Sequence, residues 1–216
     1  MSARAEILQR VRVGLGKGDA AARRATAEAV MQSRARGPQP CFADDPAERF
    51  SRKARALASS VEQVGSMAEV PAAVARYLAE HGLLRATVAT GDVAGLDWAG
   101  ADIEIAARVA VDADKVGISG CFCAIAETGT LLLLSGPQTP ASISLLPETH
   151  IAIVPVGRIV ATMEDAFALL RNEQGGLPRA VNFISGPSRT GDIEQTIVLG
   201  AHGPCRVHLI LTGEAS

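Results

Sequence analysis

The residues best suited to chemistry fall in two polar segments, and the first of these surrounds Glu127. The segment Glu127-Thr128-Gly129-Thr130 separates two apolar runs. We expect a carboxylate in such a place to be partly buried, which costs free energy unless it is paired, hydrogen-bonded or protonated. A carboxylate under these constraints suits an acid, a base or a nucleophile, and Thr128, Gly129 and Thr130 are predicted to bind its ligand. The alternative is a structural carboxylate that ties neighbouring loops together.

The second polar segment follows a predicted buried strand at Val181–Ile184. Hydroxyl groups, free backbone N–H groups and one guanidinium meet in this loop, and α/β proteins usually bind ligands in such loops. Arg189 is the best anion ligand, because a guanidinium holds a carboxylate or a phosphate through two parallel hydrogen bonds. A plain turn is the alternative. The ligand-binding residues predicted in this segment are Ser185, Gly186, Ser188, Arg189 and Thr190.

Two acidic residues close to Arg189 leave its role open. Asp192 and Glu194 either begin a helix that runs toward Leu199, because a helix dipole favours acids in the first turn, or one of them neutralises Arg189. In the second case Arg189 is a scaffold residue and not a ligand.

His202 is the histidine most suited to catalysis. It lies between two glycines in the tight loop 200–204, where the backbone can approach a ligand or the loop 185–190. Together with Glu127 it forms the predicted pair of catalytic acid and base residues. The other histidines, His81, His150 and His208, are interpreted as structural groups.

Alternating helix and strand patterns predict an α/β domain. Ser66 and Glu69 match a capping box ahead of a helix that ends at Gly82. The other predicted helices are 46–60 and 163–170, and the other predicted strands are 86–90, 103–106, 151–155 and 205–211.

Residues 1–38 are predicted to form a basic helical N-terminal arm, and residues 39–216 the α/β domain. Lys and Arg outnumber the acids in the arm, and its apolar residues have helical spacing. Pro38 and Pro40 then impose an extended connection. Such an arm suits docking on an acidic partner, or it is a solvated helix with a frayed start.

The composition argues against several classes of protein. The chain has 216 residues, 48% hydrophobic and 20% charged, with a net charge of −2, which describes an ordinary soluble protein with one main domain. The near-neutral balance and 3% aromatic content argue against nucleic-acid binding. No membrane span or signal peptide is recognisable, so we expect a cytoplasmic protein.

No cofactor motif is recognisable in the sequence. The four cysteines, Cys41, Cys121, Cys123 and Cys205, lack the spacing of a zinc site, an iron-sulfur site or a disulfide framework, so no metal site is predicted. Cys121 and Cys123 are interpreted as small buried residues, with a surface redox pair as the alternative. No G-x-G-x-x-G follows a strand, which leaves the cofactor unknown.

Four separated segments together resemble the lactate utilization protein C family, which carries the LUD domain. They are AIAETGT at 124–130, SLLPETHIAIVP at 144–155, ISGPSRTGDIE at 184–194 and GAHGP at 200–204. The resemblance runs from about Val64 to the C-terminus. Gly191 stands where the family more often has Ala, and Cys121-Phe122-Cys123 is unusual for it. The resemblance implies a three-layer α/β domain with a largely parallel sheet, related to the NagB/RpiA/CoA-transferase group.

The same resemblance implies a role in bacterial L-lactate oxidation to pyruvate, beside iron-sulfur partner subunits. In this first hypothesis the chain is a non-redox component that binds partners and a small carboxylate or phosphate. A second hypothesis is a free-standing enzyme of the CoA-transferase or sugar-phosphate isomerase type. It would use Glu127 as nucleophile or base, Arg189 to hold the anion and His202 to assist. A third is a ligand sensor on a former enzyme fold.

Overall fold

The computed structural model describes residues 2–16, 19–33, 35–190 and 198–213. The chain divides into two compact units, Met1–Cys41 and Phe42–Ser216. The first unit contains helices α1 (Ala3–Leu15) and α2 (Ala20–Ser33), and neither helix has a buried residue. The sequence had placed the corresponding boundary after residue 38.

The second unit contains four helices and all the described strands. The helices are α3 (Pro46–Ala56), α4 (Val70–Glu80), α5 (Ser142–Leu145) and α6 (Met163–Glu173). In chain order the strands are β1 (Ser60–Val64), β2 (Ala86–Ala89), β3 (Glu104–Ala106), β4 (Val116–Ser119), β5 (Cys123–Ile125), β6 (Thr130–Leu134), β7 (Thr149–Pro155), β8 (Ile159–Val160), β9 (Val181–Ile184), β10 (Arg189–Thr190), β11 (Val198–Leu199) and β12 (Arg206–Thr212). No described helix combines the length and apolar character needed to cross a bilayer.

Helix α3 is shorter than predicted, and its C-terminus explains why. Its start agrees with the sequence, since Asp45 caps the first backbone N–H groups and a proline occupies the first turn. Its end differs because Ala58 adopts a left-handed conformation with φ 66°. The Ser59 N–H then bonds back to the Ala54 carbonyl, which closes the helix as a Schellman motif and frees Ser60 to begin β1.

Helix α4 is confirmed, but its predicted capping box is wrong. A short 3-10 turn at Met67–Glu69 precedes it, and the Ser66 side chain makes no bond to a capping backbone N–H. Its Oγ instead donates to the Glu69 carboxylate at 3.1 Å, which also accepts from the Gly65 N–H at 3.3 Å. A capping box does occur at α6, where Thr162 and Asp165 bond to each other's backbone N–H groups.

Six parallel strands form the main sheet in the order β1-β12-β7-β4-β2-β3. Central strands such as β7 are buried along almost their whole length because both faces of the sheet are covered. Ile151 and Ile153 pack in a core cluster with α4, whereas Ala152 and Val154 pack with α3 and the second sheet. The α/β fold with a largely parallel sheet is thus confirmed.

A second, mixed sheet in the order β8-β5-β6-β9 lies against the main sheet, and the sequence did not predict it. Its other face packs on α6 through a smaller cluster that includes Cys123, Leu132 and Ala166. Strand β9 has its predicted bounds, but it is a partly exposed edge strand of this second sheet and not a buried one. Cys123 is buried, as predicted.

The predicted helix toward Leu199 is also wrong at its end. Val198 and Leu199 form β11, which pairs antiparallel with Thr190 and Arg189 of β10. Residues 191–197, which include Asp192 and Glu194, lie outside the described part of the chain.

Candidate functional site

The strand order defines a switch point between β2 and β4. From β2 the chain moves outward to β3, whereas from β4 it moves in the opposite direction to β7 and then β12. In open parallel sheets, the crevice beyond the carboxyl ends of two such strands is left uncovered by the crossovers, and ligands bind there. The two residues at this edge are Thr90, which follows β2, and Ser119, which ends β4.

A cavity of about 380 Å³ opens at this switch point. The volume is in the range of small-molecule sites. One wall is the edge of the main sheet, and the facing wall comes from β6, β9 and the loop that follows β6. The polar and charged side chains that line the cavity include Thr90, Asp92, Ser119, Ser135, Arg158 and Asn182.

Ser119, which lines the cavity, forms a buried polar pair with His150. Ser119 is 3% exposed and His150 is fully buried, and their Oγ and Nε2 atoms lie 2.8 Å apart in a hydrogen bond. Burial lowers the pKa of His150 to about 4, so its ring is neutral at pH 7. Within the described residues, His150 Nδ1 has no hydrogen-bond partner. The pair therefore lacks the third group that orients the base in a serine nucleophile.

The charged groups at the cavity are Arg158 and Asp92. The guanidinium of Arg158 binds both carboxylate oxygens of Glu173, at 2.8 and 2.9 Å, and its Nε donates to the Phe122 carbonyl at 2.8 Å. The pKa of Glu173 is held below its usual value, mainly by this hydrogen bond. For Asp92, the described residues provide neither a hydrogen bond nor an ion pair to the carboxylate.

Several neutral groups in the cavity have unused hydrogen-bonding capacity. The Thr90 hydroxyl accepts from the Gly120 N–H at 3.3 Å, and the Ser135 hydroxyl accepts from the Ala180 N–H at 2.8 Å, so both can still donate. Asn182 Nδ2 is buried and finds no acceptor among the described residues. An orphaned buried donor is costly, and a ligand oxygen would satisfy it.

Cys121 also lines the cavity but is not poised to react. Burial raises the pKa of its thiol well above the usual value. The thiol is therefore protonated at neutral pH, and only the thiolate is an effective nucleophile or metal ligand. Nowhere in the described ranges do three or more His, Cys, Asp or Glu residues form a group that could hold a metal ion.

None of the residues predicted from the sequence to form the site lines this cavity. Five of them lie together beside the C-terminal end of α3. Thr128 donates to Thr130 at 2.8 Å, and Thr130 shares a hydrogen bond of 2.7 Å with Ser185. Gly129 and Gly186 both have positive φ, and a Cβ on either would collide with the backbone of α3 or of the residue that follows it. The two glycines allow close packing within the protein itself.

Glu127 lies in the turn 126–129 between β5 and β6. Its backbone N–H donates to the Ala161 carbonyl at 3.0 Å, which ties the turn to the segment before α6. The side chain is half-buried, as expected. The partner that burial led us to expect is not found among the described residues, because the exposed part of the carboxylate can be solvated by water.

The remaining predicted residues lie around the loop 200–204. The Ser188 N–H donates to the Pro204 carbonyl at 2.9 Å, and the Ser188 hydroxyl accepts from the His202 N–H at 3.3 Å. The side chains of Arg189 and His202 are exposed, and Thr190 is partly buried in the β10–β11 hairpin. The contacts thus join Ser188 to His202, as predicted, but do not join either of them to Glu127.

The sequence contains a local pattern of polar residues and glycines that indicates the cavity. In each of the segments Thr90-Gly91-Asp92 and Ser119-Gly120, a polar residue and a glycine stand at the carboxyl end of a short strand. The two segments are neighbours only because β2 and β4 are adjacent, and that pairing is not evident from local spacing. Arg158 and Asn182 come from still other elements of the chain.

The fold and the cavity define an α/β protein with a parallel main sheet and a cavity of small-molecule size at its switch point. Comparison with known proteins is more specific. The family model described as the LUD domain matches residues 47–212, so the chain belongs to the LUD domain family.

The relatives agree with this family. Lactate utilization protein C from Exiguobacterium sp. is 40% identical over 117 residues, which are 53% of this chain and 50% of that protein. Lactate utilization protein C from Bacillus subtilis is 42% identical over 103 residues, or 46% of this chain and 43% of the relative. The chain spans about half the length of the curated relatives it matches.

A solved structure supports the fold. The crystal structure of a DUF162 family protein from Deinococcus radiodurans superposes with a TM-score of 0.60 at 26% identity. The match covers 81% of this chain and 100% of that one.

Proposed function

We propose that the chain is a component of bacterial L-lactate utilization that binds a small molecule in the switch-point cavity. Two observations support this proposal. The relatives named Lactate utilization protein C provide the biological setting. The cavity at the carboxyl ends of β2 and β4 is the observation that carries the ligand-binding role, because its polar groups have unused hydrogen-bonding capacity.

Growth of the source bacterium on L-lactate tests this proposal. A strain that lacks the gene should fail on L-lactate and grow normally on glucose. Complementation with Ala141→Trp should not restore growth, because the indole would fill the cavity that Ala141 lines. The matched control is Ala72→Trp at an exposed alanine of α4 outside the cavity, which should complement. Equal complementation by both folded variants would contradict a role for the cavity.

We further propose that the chain acts together with iron-sulfur subunits, since the chemistry of lactate oxidation requires a redox group. The tagged protein would be recovered from cells grown on L-lactate and on glucose, and the co-purifying chains identified by mass spectrometry. Iron-sulfur subunits should appear in the lactate sample. Deletion of residues 1–41 then tests whether the basic arm is the docking surface. Absence of such subunits under both conditions would refute this part of the proposal.

The catalytic role of Glu127, with Arg189 and His202, stays a second prediction of an enzyme of the CoA-transferase or isomerase type. The half-buried carboxylate favours it, because no partner among the described residues occupies it. Glu127→Gln should abolish turnover of an acyl-CoA or an aldose phosphate without loss of folding. No turnover of either substrate class by the unaltered protein would remove this alternative.

A further inference from the structure

We propose that the switch-point cavity takes a neutral molecule with adjacent hydroxyl groups, such as a sugar or another polyol, and that Asp92 accepts hydrogen bonds from those hydroxyls. This rests on the proposed role of the cavity as a ligand site. It differs from the small carboxylate or phosphate that the sequence suggested, and the difference follows from the charges and the donors at the cavity.

The charged side chains at the cavity do not balance one another. Arg158 lines the cavity, but its charge is balanced by Glu173, which binds it through both carboxylate oxygens. Three of the five N–H donors of a guanidinium are used in these contacts and in the bond to Phe122. Asp92 has no such counter-charge among the described residues. The cavity therefore has a net negative charge, which disfavours an anionic ligand.

The Asp92 carboxylate lies at the carboxyl end of β4. A Cβ placed on Gly120 would collide with the Asp92 carboxylate, so this carboxylate lies directly against the end of β4. Ser119 immediately precedes Gly120 and also lines the cavity. A ligand between Asp92 and the facing wall would meet the carboxylate on one side and the Ser119 hydroxyl at its base.

Three neutral side chains at the cavity can donate hydrogen bonds to a ligand. Thr90 and Ser135 each accept a backbone N–H, which leaves their hydroxyl protons available to a ligand oxygen. Asn182 Nδ2 is a buried donor without an acceptor in the described part of the chain. Strand alternation places Asn182 on the same face of β9 as Ile184, which packs toward the main sheet. Its amide is therefore directed toward the cavity, which Asn182 and Asp92 both line.

Hydroxyl groups satisfy both sides of this cavity. A hydroxyl donates one hydrogen bond and accepts others, so adjacent hydroxyls can donate to the two oxygens of Asp92 and accept from Thr90, Ser135 and Asn182. Acidic side chains at the ends of parallel strands bind sugar hydroxyls in this way in dinucleotide-binding folds. A carboxylate or phosphate can only accept, and it would meet the Asp92 carboxylate with a like charge.

Calorimetric titration with a matched pair of probes tests the proposal. D-ribose carries adjacent hydroxyls, and D-ribose 5-phosphate adds a dianion to the same molecule. L-lactate is the third probe. We expect D-ribose to bind at least fivefold more tightly than either anion. Ala141→Trp should abolish binding, which would locate it in the cavity.

Two charge variants separate the role of Asp92 from a general charge effect. Asp92→Asn removes the charge and half of the acceptor capacity, so it should weaken D-ribose at least fivefold and reduce the discrimination against D-ribose 5-phosphate. Asp102→Asn is the control, because Asp102 is a highly exposed carboxylate that does not line the cavity. It should leave both affinities unchanged.

The outcomes distinguish the ligand class from the function of the cavity. Tighter binding of L-lactate or D-ribose 5-phosphate, abolished by Ala141→Trp, would overturn the ligand class and leave the cavity as a binding site. Binding of no probe, or binding that Ala141→Trp does not change, would overturn this proposal. The growth assay on L-lactate would then decide the proposed function independently.

Discussion

At the scale of single residues, His150 shows how burial decides the chemistry of a side chain. Its ring is fully buried and hydrogen-bonded to Ser119, and the described part of the chain supplies no carboxylate to its other nitrogen. A proton transferred from Ser119 would create an alkoxide and an imidazolium in an apolar interior, and the described residues supply no further group to stabilise either charge, which costs several kcal/mol. The pair therefore fixes the orientation of the Ser119 hydroxyl and is not arranged as a serine nucleophile.

The buried histidines predict a loss of stability in mild acid. Burial lowers the pKa of His150 and of His208 from 6.5 to about 4. Between these pH values the unfolded chain binds protons that the folded protein does not, so the free energy of unfolding should fall as the pH drops from 6.5 to 4. The loss is about 3 kcal/mol for each histidine, and no dependence from this source remains above pH 6.5. Urea unfolding across this range measures it.

Matched variants test whether these histidines cause the pH dependence of the free energy of unfolding. His150→Gln should reduce the pH dependence of the free energy of unfolding by about half of the histidine contribution. His202→Gln, at an exposed histidine, should leave it unchanged. An equal slope in His150→Gln and the unaltered protein would contradict the lowered pKa of His150.

Gly129 provides a second test at this scale. Its φ is +69°, and a Cβ would lie 2.5 Å from the Ala54 backbone nitrogen in α3. Gly129→Ala should therefore reduce the free energy of unfolding by about 2 kcal/mol or more, through backbone strain and the collision together. Gly175→Ala is the control, because its Cβ would meet open space. Chemical denaturation compares them, and a neutral Gly129→Ala would contradict the close approach of α3 to this turn.

At the scale of the element, α6 depends on its N-terminal cap. The Thr162 hydroxyl accepts from the Asp165 N–H, and the Asp165 carboxylate accepts from the Thr162 N–H. Thr162→Ala should lower the free energy of unfolding by about 1 kcal/mol. Ser2→Ala removes the corresponding cap of α1, a helix with no buried residue, and should not shift the main unfolding transition. If Thr162→Ala and Ser2→Ala shifted the main unfolding transition equally, α6 and α1 would unfold together.

Elements with strong local patterns could be predicted from the sequence. Helix α4 has apolar residues at helical spacing and a glycine at its end, and β7 has an unbroken apolar run, so both were identified. The second sheet was missed because its strands β5 and β8 are short and apolar, and such runs do not reveal which sheet they join. The end of α3 was missed because Ala58 has no sequence signal for a positive φ.

The candidate site could not be predicted from local spacing for a related reason. Glu127 and the loop 185–190 are conspicuous because their polar residues are contiguous, yet several of their contacts pack the protein against itself. Asp92, Ser119 and Asn182 are each unremarkable in sequence and meet only through the strand order. A long-range pairing of this kind has no signature within a short window of residues.

At the scale of the whole molecule, the two units should be separable. Helices α1 and α2 have no buried residue, whereas Phe42–Ser216 contains every described core cluster. A chain that begins at residue 42 should therefore fold with a melting temperature within about 2 °C of the full chain, since surface changes contribute little to stability. Calorimetry measures this, and a large drop would show that residues 1–41 contribute to the core.

The strand order also has a consequence for the time at which the protein can fold during its synthesis. Strand β1, the first of the described strands, has β12, the last of them, as its neighbour in the main sheet. The ribosome must therefore complete residue 212 before β1 can pair with β12. Until then, the apolar residues of β7 that β12 covers remain exposed to solvent. Contacts so distant in sequence form slowly and leave sheet edges exposed to other chains. The nascent protein should therefore depend on chaperones until its last strand emerges.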